Sequence, residues 1–213
     1  SSLGDILRRT SGLTPDQIQQ ALDYQRTQGV RFGEAVVQLG IARHEDVVWA
    51  LAQQFHYPYV PADQQQFSAE LVAATQPFSD QVEHFRMLRS QLLMGVMSPQ
   101  RPRQALAVVS AAPGDGRTFI AANLAVAFSQ LAGRTLLIDG DLRGGRLHEL
   151  FQVDPTPGLS GILAGGCEAN VITPAQHLPQ LFLLPAGVRS PNPAELLHRP
   201  SFQLLLNDLL QQF

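Results

Sequence analysis

A glycine-rich turn set between an apolar run and a helical stretch constrains this chain more than any other feature. Ala105 to Ser110 is a short apolar run and reads as a strand. Ala111-Ala112-Pro113-Gly114-Asp115-Gly116 makes the turn, and a helix is expected from about Thr118 to Leu131. Gly133 is placed to end that helix. Thr135 to Ile138 and Leu181 to Leu184 read as further buried strands. Helices are expected over Ser160 to Ala164 and from Ser201 to about Gln211. Alternating β and α elements of this length imply a parallel sheet with helices on its faces.

The stretch Ser110 to Thr118 compares with the phosphate-loop pattern G-x-x-x-x-G-K-[ST]. Gly116 and Thr118 fit, Ala111 stands where the first glycine should be, and Arg117 replaces the lysine. Much of the physics survives these changes. Backbone N–H groups from Gly114, Asp115, Gly116, Arg117 and Thr118 can point at a phosphate, and the helix start adds roughly half a positive charge. The Thr118 hydroxyl is in the right place for Mg²⁺. Arginine keeps the charge on a longer, planar fork, so its phosphate contacts differ from those of lysine. A Pro-Gly-Asp-Gly turn with no ligand at all is the plainer reading of the same residues.

A second signal follows in Leu137-Ile138-Asp139-Gly140-Asp141-Leu142-Arg143. Two carboxylates emerge at the carboxyl end of a strand, the edge where α/β sheets bind ligands. Spaced by one residue, Asp139 and Asp141 can point the same way. One could hold Mg²⁺ while the other accepts a proton from an attacking hydroxyl. A dinucleotide fold competes, with the acidic residue on a ribose. Against it, Phe119 occupies the place of the third glycine and Thr118 would have no role.

The first sixty residues carry a repeat offset by 29. Leu3-Gly4-Asp5 aligns with Phe32-Gly33-Glu34, and Ala21-Leu22 with Ala50-Leu51. Each unit reads as a short helix, a turn and a longer amphipathic helix, and Thr14-Pro15-Asp16-Gln17 makes a helix start. Two such units would pair their apolar faces into a small all-α domain over residues 1–62. Trp49 fits there most simply as core. Tyr57-Pro58-Tyr59-Val60-Pro61 breaks the pattern, so residues 63–80 read as a linker and 81–213 as the second domain. Asp80 is expected to cap a helix to about Met97.

Composition bounds the rest. The chain has 213 residues, of which 45% are hydrophobic, so it can bury a core. A formal net charge of −3 argues against a nucleic-acid surface reader. The single cysteine, Cys167, excludes an internal disulfide and fits a reducing compartment. No apolar run approaches the roughly 20 residues of a membrane span, and no signal-peptide pattern opens the chain. All 15 basic residues are arginine, and the tyrosines are Tyr24, Tyr57 and Tyr59.

These motifs carry a specific resemblance. Ser110 to Thr118, Asn123-Leu124-Ala125, and Leu137 to Arg143 with His148 and Phe151 resemble a bacterial tyrosine kinase of the polysaccharide-export type. Gly158-Leu159-Ser160, Leu184-Pro185-Ala186-Gly187 and Pro191-Asn192-Pro193-Ala194-Glu195-Leu196-Leu197 match further stretches of that family. The likeness covers roughly residues 80–213. It is nearest to the exosortase-associated chain-length-determinant subgroup, whose members carry Arg at the position of Arg117.

The resemblance implies an α/β, P-loop NTPase-type parallel sheet, truncated, behind a small all-α domain. It implies an ATP- and Mg²⁺-dependent protein-tyrosine autokinase regulating exopolysaccharide chain length or export. Asp141, Arg117 and Asp139 would be catalytic; Gly114, Asp115, Gly116, Arg117, Thr118 and Phe119 would bind nucleotide; Thr118 and Asp139 would hold the metal. Glu83, Arg86 and Arg89 resemble the helix with which family members contact a neighbour in a ring, although an intrahelical salt-bridge ladder has the same spacing. The partner would be an inner-membrane chain-length regulator, and the protein would be cytoplasmic and membrane-associated through it.

Related kinases continue with a strand ending in a further aspartate and with a tyrosine-rich tail, so residues 1–213 alone are expected to transfer no phosphate. The N-terminal repeat resembles the helical domain at the front of type II secretion ATPases, some of which bind cyclic di-GMP. The matching residues are Arg31-Phe32-Gly33 and Gly40, while Ser2 and Ser11 depart from the pattern in the first unit. A partitioning-type ATPase switch and a non-catalytic sensing scaffold remain alternatives. The former carries a lysine where Ala112 stands.

Overall fold

The computed structural model describes residues 2–57, 59, 67–166 and 171–213; Cys167 and residues 63–66 of the expected linker lie outside them. The chain divides into two compact units, Ser1–Gln64 and Gln65–Phe213.

In the first unit four helices follow one another: α1 (Leu3–Ser11), α2 (Pro15–Gln28), α3 (Phe32–Gln38) and α4 (His44–Phe55). The 29-residue offset reappears in how they start. Ser2 and Arg31 precede α1 and α3, while Thr14 and Arg43 precede α2 and α4. At each start an acid or amide three residues on accepts the backbone N–H of the capping residue, as Asp5 does for Ser2 and Glu34 for Arg31, both at 3.1 Å. Helix α1 packs on α4 and α2 on α3. Their apolar faces close over Ile6, Leu7, Ala21, Val36, Val47 and Ala50, with Trp49 partly buried against them.

The second unit begins with α5 (Val72–Thr75) and α6 (Asp80–Met94), then α7 (Arg117–Ser129), β1 (Thr135–Ile138), α8 (Leu147–Phe151) and α9 (Gly158–Leu163). It ends with β2 (Thr173–Pro174), β3 (Leu181–Leu184), α10 (Pro193–His198) and α11 (Pro200–Gln212). Strands β1 and β3 pair in parallel, Thr135 against Leu181 through Ile138 against Leu184. The short β2 adds antiparallel on the far side of β3, so the sheet is mixed, in the order β1-β3-β2. Leu181, Leu183 and Leu184 are fully buried, as a continuous apolar run in a covered parallel sheet should be. Among the described residues no helix is long and apolar enough to cross a membrane.

The apolar run Ala105–Ser110 is not a strand: it forms no ladder with β1, and Leu106 and Val109 are 45% and 81% exposed. Apolar character alone does not make a strand; a neighbour must supply the backbone partners. The helix after the glycine turn ends at Ser129, four residues before Gly133, and α6 ends at Met94.

Residues 67–80 read as linker but are packed into the second unit. The Phe67 ring meets Phe151 edge-on at 6.2 Å, and Ser68 N–H donates to Leu150 O at 2.9 Å. Helix α5 lies on α7. The join is made by Asn123, fully buried within α7. Its Oδ1 accepts from Ala73 N–H at 2.9 Å, and its Nδ2 donates to Glu70 O at 2.8 Å and Phe119 O at 2.9 Å. The bond to Ala73 N–H is buried and the other two are partly so, so losing the amide leaves sheltered backbone groups without their partner. Asn123→Ala is expected to destabilise the second unit by about 2–4 kcal/mol. Urea unfolding should show this, together with fast exchange of the Ala73 amide.

Candidate functional site

The glycine turn leads directly into α7. Gly114 and Gly116 sit at φ 86° and 84°, the left-handed region that glycine reaches without penalty, and Gly116 is the N-cap of α7. The Asp115 carboxylate accepts Ala112 N–H at 3.0 Å and closes the loop on itself. Arg117 folds back, donating through Nη1 to Ala112 O at 2.8 Å and to the Ser110 hydroxyl. The first turn of α7 holds Arg117, Thr118 and Phe119 with no acidic residue, so its unpaired N–H groups and dipole favour an anion. Phe119 turns toward Phe85 of α6, their rings 5.9 Å apart, which gives it a packing role.

Asp139 continues the sheet beyond β1, with its N–H on Leu184 O at 2.9 Å. Its half-buried carboxylate accepts Leu147 N–H on Oδ2 at 3.0 Å and Asp141 N–H on Oδ1 at 3.1 Å. Desolvation pushes the Asp139 carboxyl above the usual range, against those two bonds and the nearby His148 ring, which pull it down. Asp141 is exposed. Its Oδ1 takes N–H groups from Arg143 and Gly144, both at 3.1 Å, and among the described residues its Oδ2 is not engaged. A shallow groove lies beside it, walled by Leu142, Arg143, Pro193, Leu197 and His198.

The two carboxylates thus differ in kind. Asp139 is sheltered and fixed by backbone donors; Asp141 is open on one oxygen and faces a groove. A desolvated carboxylate and a threonine hydroxyl are hard oxygen donors, and Mg²⁺ is usually held by one or two protein oxygens with phosphate and water completing its shell. Among the described residues no group of three or more His, Cys, Asp or Glu side chains could hold a metal by protein alone. In donor chemistry the Thr118 hydroxyl and the Asp139 carboxylate suit such a cation, one that arrives with a phosphate ligand.

Glu83, Arg86 and Arg89 were expected to project toward a neighbouring subunit. Glu83 does reach solvent, but the Arg86 side chain is only 11% exposed. Arg86 donates to Pro77 O and to Glu83 Oε2, the latter at 3.3 Å, and Arg89 donates to Ala127 O. Each guanidinium donates to a carbonyl of its own unit, where α6 packs on α7. In the first unit, Arg31-Phe32-Gly33 and Gly40 also have local roles. Phe32 packs against the helical core, and a Cβ on Gly33 would meet Val47 Cγ1 at 2.8 Å.

The sequence did not single out Glu70 and Arg146. Arg146 ion-pairs with Glu70 across 76 positions, with Nη2–Oε1 at 2.5 Å and Nη1–Oε2 at 3.2 Å. No local spacing signals such a pair. Asn123 did leave a signal, as a lone polar residue inside an apolar helix.

No protein-family model matches the chain. It is 37% identical over 138 residues to the tyrosine-protein kinase wzc of Salmonella typhimurium, covering 65% of this chain and 19% of that one. It is 36% identical over 127 residues to the tyrosine-protein kinase YwqD of Bacillus subtilis, covering 60% and 53%. The chain therefore spans about half of one of these relatives and a fifth of the other. The kinase domain of the Escherichia coli tyrosine kinase ETK superposes with a TM-score of 0.63 at 34% identity, over 67% of this chain and 55% of that one. The matched part of the chain accordingly has the fold of a P-loop NTPase-like kinase domain.

The turn after Asp139 offers an internal control for the geometry of the site. A Cβ on Gly145 would lie 2.6 Å from Asp139 Oδ2, whereas one on Gly144 meets nothing within 4 Å. Gly145→Ala should cost about 1–3 kcal/mol through overpacking, and Gly144→Ala should be close to neutral. Parallel thermal melts of the two variants check the difference.

Proposed function

We propose that this chain, whose homologues are bacterial tyrosine kinases, carries the nucleotide-binding part of an ATP-dependent protein-tyrosine kinase. The observation that carries the reading is the pairing of a left-handed glycine turn capping α7 with a two-carboxylate turn at the end of β1. In this reading the N–H groups of Gly114 to Thr118 hold the β-phosphate side of the nucleotide, and Arg117 adds positive charge. Thr118 and Asp139 would hold Mg²⁺, which supplies charge neutralisation on the phosphates when bound.

Asp141 then takes the proton from the attacking hydroxyl. Its free Oδ2 and the groove beside it suit a phenol approaching from solvent. The backbone donors on Oδ1 fix the carboxylate, so the reacting oxygen needs no reorganisation. Phosphoryl transfer is mostly positioning and charge neutralisation, which is why so few side chains suffice.

The wider role in exopolysaccharide chain length or export, with an inner-membrane regulator as partner, rests on the family resemblance alone. Assembly into a ring through α6 is a further part of that proposal. Glu83 is the solvent-exposed member of the three, its Oε2 paired with Arg86, whereas Arg86 and Arg89 are bonded to carbonyls of the unit. Glu83→Gln is therefore the cleaner test, since an amide oxygen can still accept from Arg86, whereas reversal of either arginine would also bury a carboxylate. Loss of oligomers in light scattering of the whole gene product is the expected result.

Arg117→Ala should weaken ADP binding about tenfold to a hundredfold, the loss of one charge-assisted contact of roughly 1.5–3 kcal/mol. Isothermal titration checks it, and unchanged affinity in a folded variant would overturn the loop assignment. In the whole gene product, Asp141→Asn should abolish phosphotyrosine formation while leaving ADP affinity within about twofold.

A further inference from the structure

Two halves of the proposed nucleotide site hang on separate elements, the phosphate loop on α7 and the carboxylate turn on β1. A third piece of chain is bonded to both. The backbone carbonyl of Glu70 accepts Asn123 Nδ2, whose second hydrogen goes to Phe119 O in the first turn of α7. The Glu70 carboxylate reaches the other way and takes two N–H groups of Arg146. The residue after Arg146 is Leu147, whose N–H holds Asp139 Oδ2 at 3.0 Å. Ser68 N–H on Leu150 O and Phe67 against Phe151 fasten the same segment to α8.

Neither attachment is needed to terminate a helix or to fill the sheet. The bidentate fork fixes the plane of the guanidinium as well as its distance, so it orients the backbone at Arg146 rather than merely attracting it. The amide of Asn123 is fully buried and saturated, which makes the opposite anchor rigid. A segment held stiffly at one end and by an oriented ion pair at the other sets the spacing between its two attachments.

We propose that residues 67–76 form a strap across the two halves of the site, and that Glu70 is a positioning residue acting through Arg146 and Leu147 on Asp139. The role deepens the kinase reading and rests on it. Glu70 touches neither nucleotide nor acceptor. It holds the metal-side carboxylate in register with the phosphate loop.

The test uses the 213-residue chain with ADP as probe. Glu70→Arg replaces attraction at Arg146 by repulsion, and the swap Glu70→Arg with Arg146→Glu, made together with Glu149→Gln because Glu149 also pairs with Arg146 at 3.6 Å, restores it. Hydrogen exchange of the Leu147 amide should quicken about fivefold in the single variant and return to within about twofold of the original in the swap. The Val126 amide, in the middle of α7, should not change. ADP affinity in EDTA should likewise hold, while its enhancement by Mg²⁺ falls about threefold to fivefold and recovers in the swap. Unaltered Leu147 exchange would overturn the strap, as would a parallel rise at Val126, the mark of general loosening. If the original chain binds no ADP, the nucleotide reading itself fails, and the exchange measurements still report separately whether Glu70 holds the turn.

Discussion

The parallel ladder between β1 and β3 is the constraint on which the second unit depends. Its last rung, Asp139 N–H on Leu184 O, fixes where the chain leaves the sheet on both strands at once. On the β1 side it delivers Asp139 to the N–H groups of Leu147 and Asp141. On the β3 side it delivers Pro185 and Ala186, whose carbonyls accept from Leu159 and Ser160 at the start of α9. A shift of one residue would turn Asp139 to the opposite face and bring Ile138 to the turn. The register is secured by burial of Leu137 and Leu183, so the chemistry at the sheet edge depends on apolar packing one layer below it.

How much of this the sequence discloses depends on whether the signal is local. Strands β1 and β3 were legible because buried parallel strands read as unbroken apolar runs, and both begin and end where the runs do. The glycine turn and the aspartate pair were legible because their chemistry lies within a few consecutive residues. The apolar run Ala105–Ser110 misled for the complementary reason: its composition is that of a strand, but strand formation also needs a ladder partner, which composition does not show. The packed segment after residue 66 was hidden because its attachments are one asparagine, one ion pair and backbone groups, each met by residues 50 or more positions away.

The arginines show the same limit from the side of electrostatics. At spacings of three, Glu83, Arg86 and Arg89 read as a charged helical face. In the structure only Glu83 behaves so. Arg86 and Arg89 cap carbonyls of Pro77 and Ala127, as Arg103 does for the carbonyl end of α11 and Arg199 for Leu163. A chain without lysine has used the guanidinium fork repeatedly for one task, the satisfaction of backbone carbonyls that a helix end or turn leaves open. Charge periodicity cannot distinguish that use from a docking surface, because both place a cation at the same position.

Arg117 belongs to this set, and its geometry explains why an arginine can stand where a phosphate loop ordinarily has lysine. Through Nη1 it is already bonded to Ala112 O and the Ser110 hydroxyl, which braces the loop from within. An ammonium has a single nitrogen, and turning it to a phosphate would take it away from those acceptors. The guanidinium spreads five donors over three nitrogens, so in the proposed nucleotide site Nε and Nη2 would serve phosphate oxygens while Nη1 keeps the loop closed. That matters here because Ala111 replaces a glycine and the run Ala105–Ser110 gives the loop no strand to rest on. The brace that a preceding strand would provide comes instead from the side chain that also carries the charge.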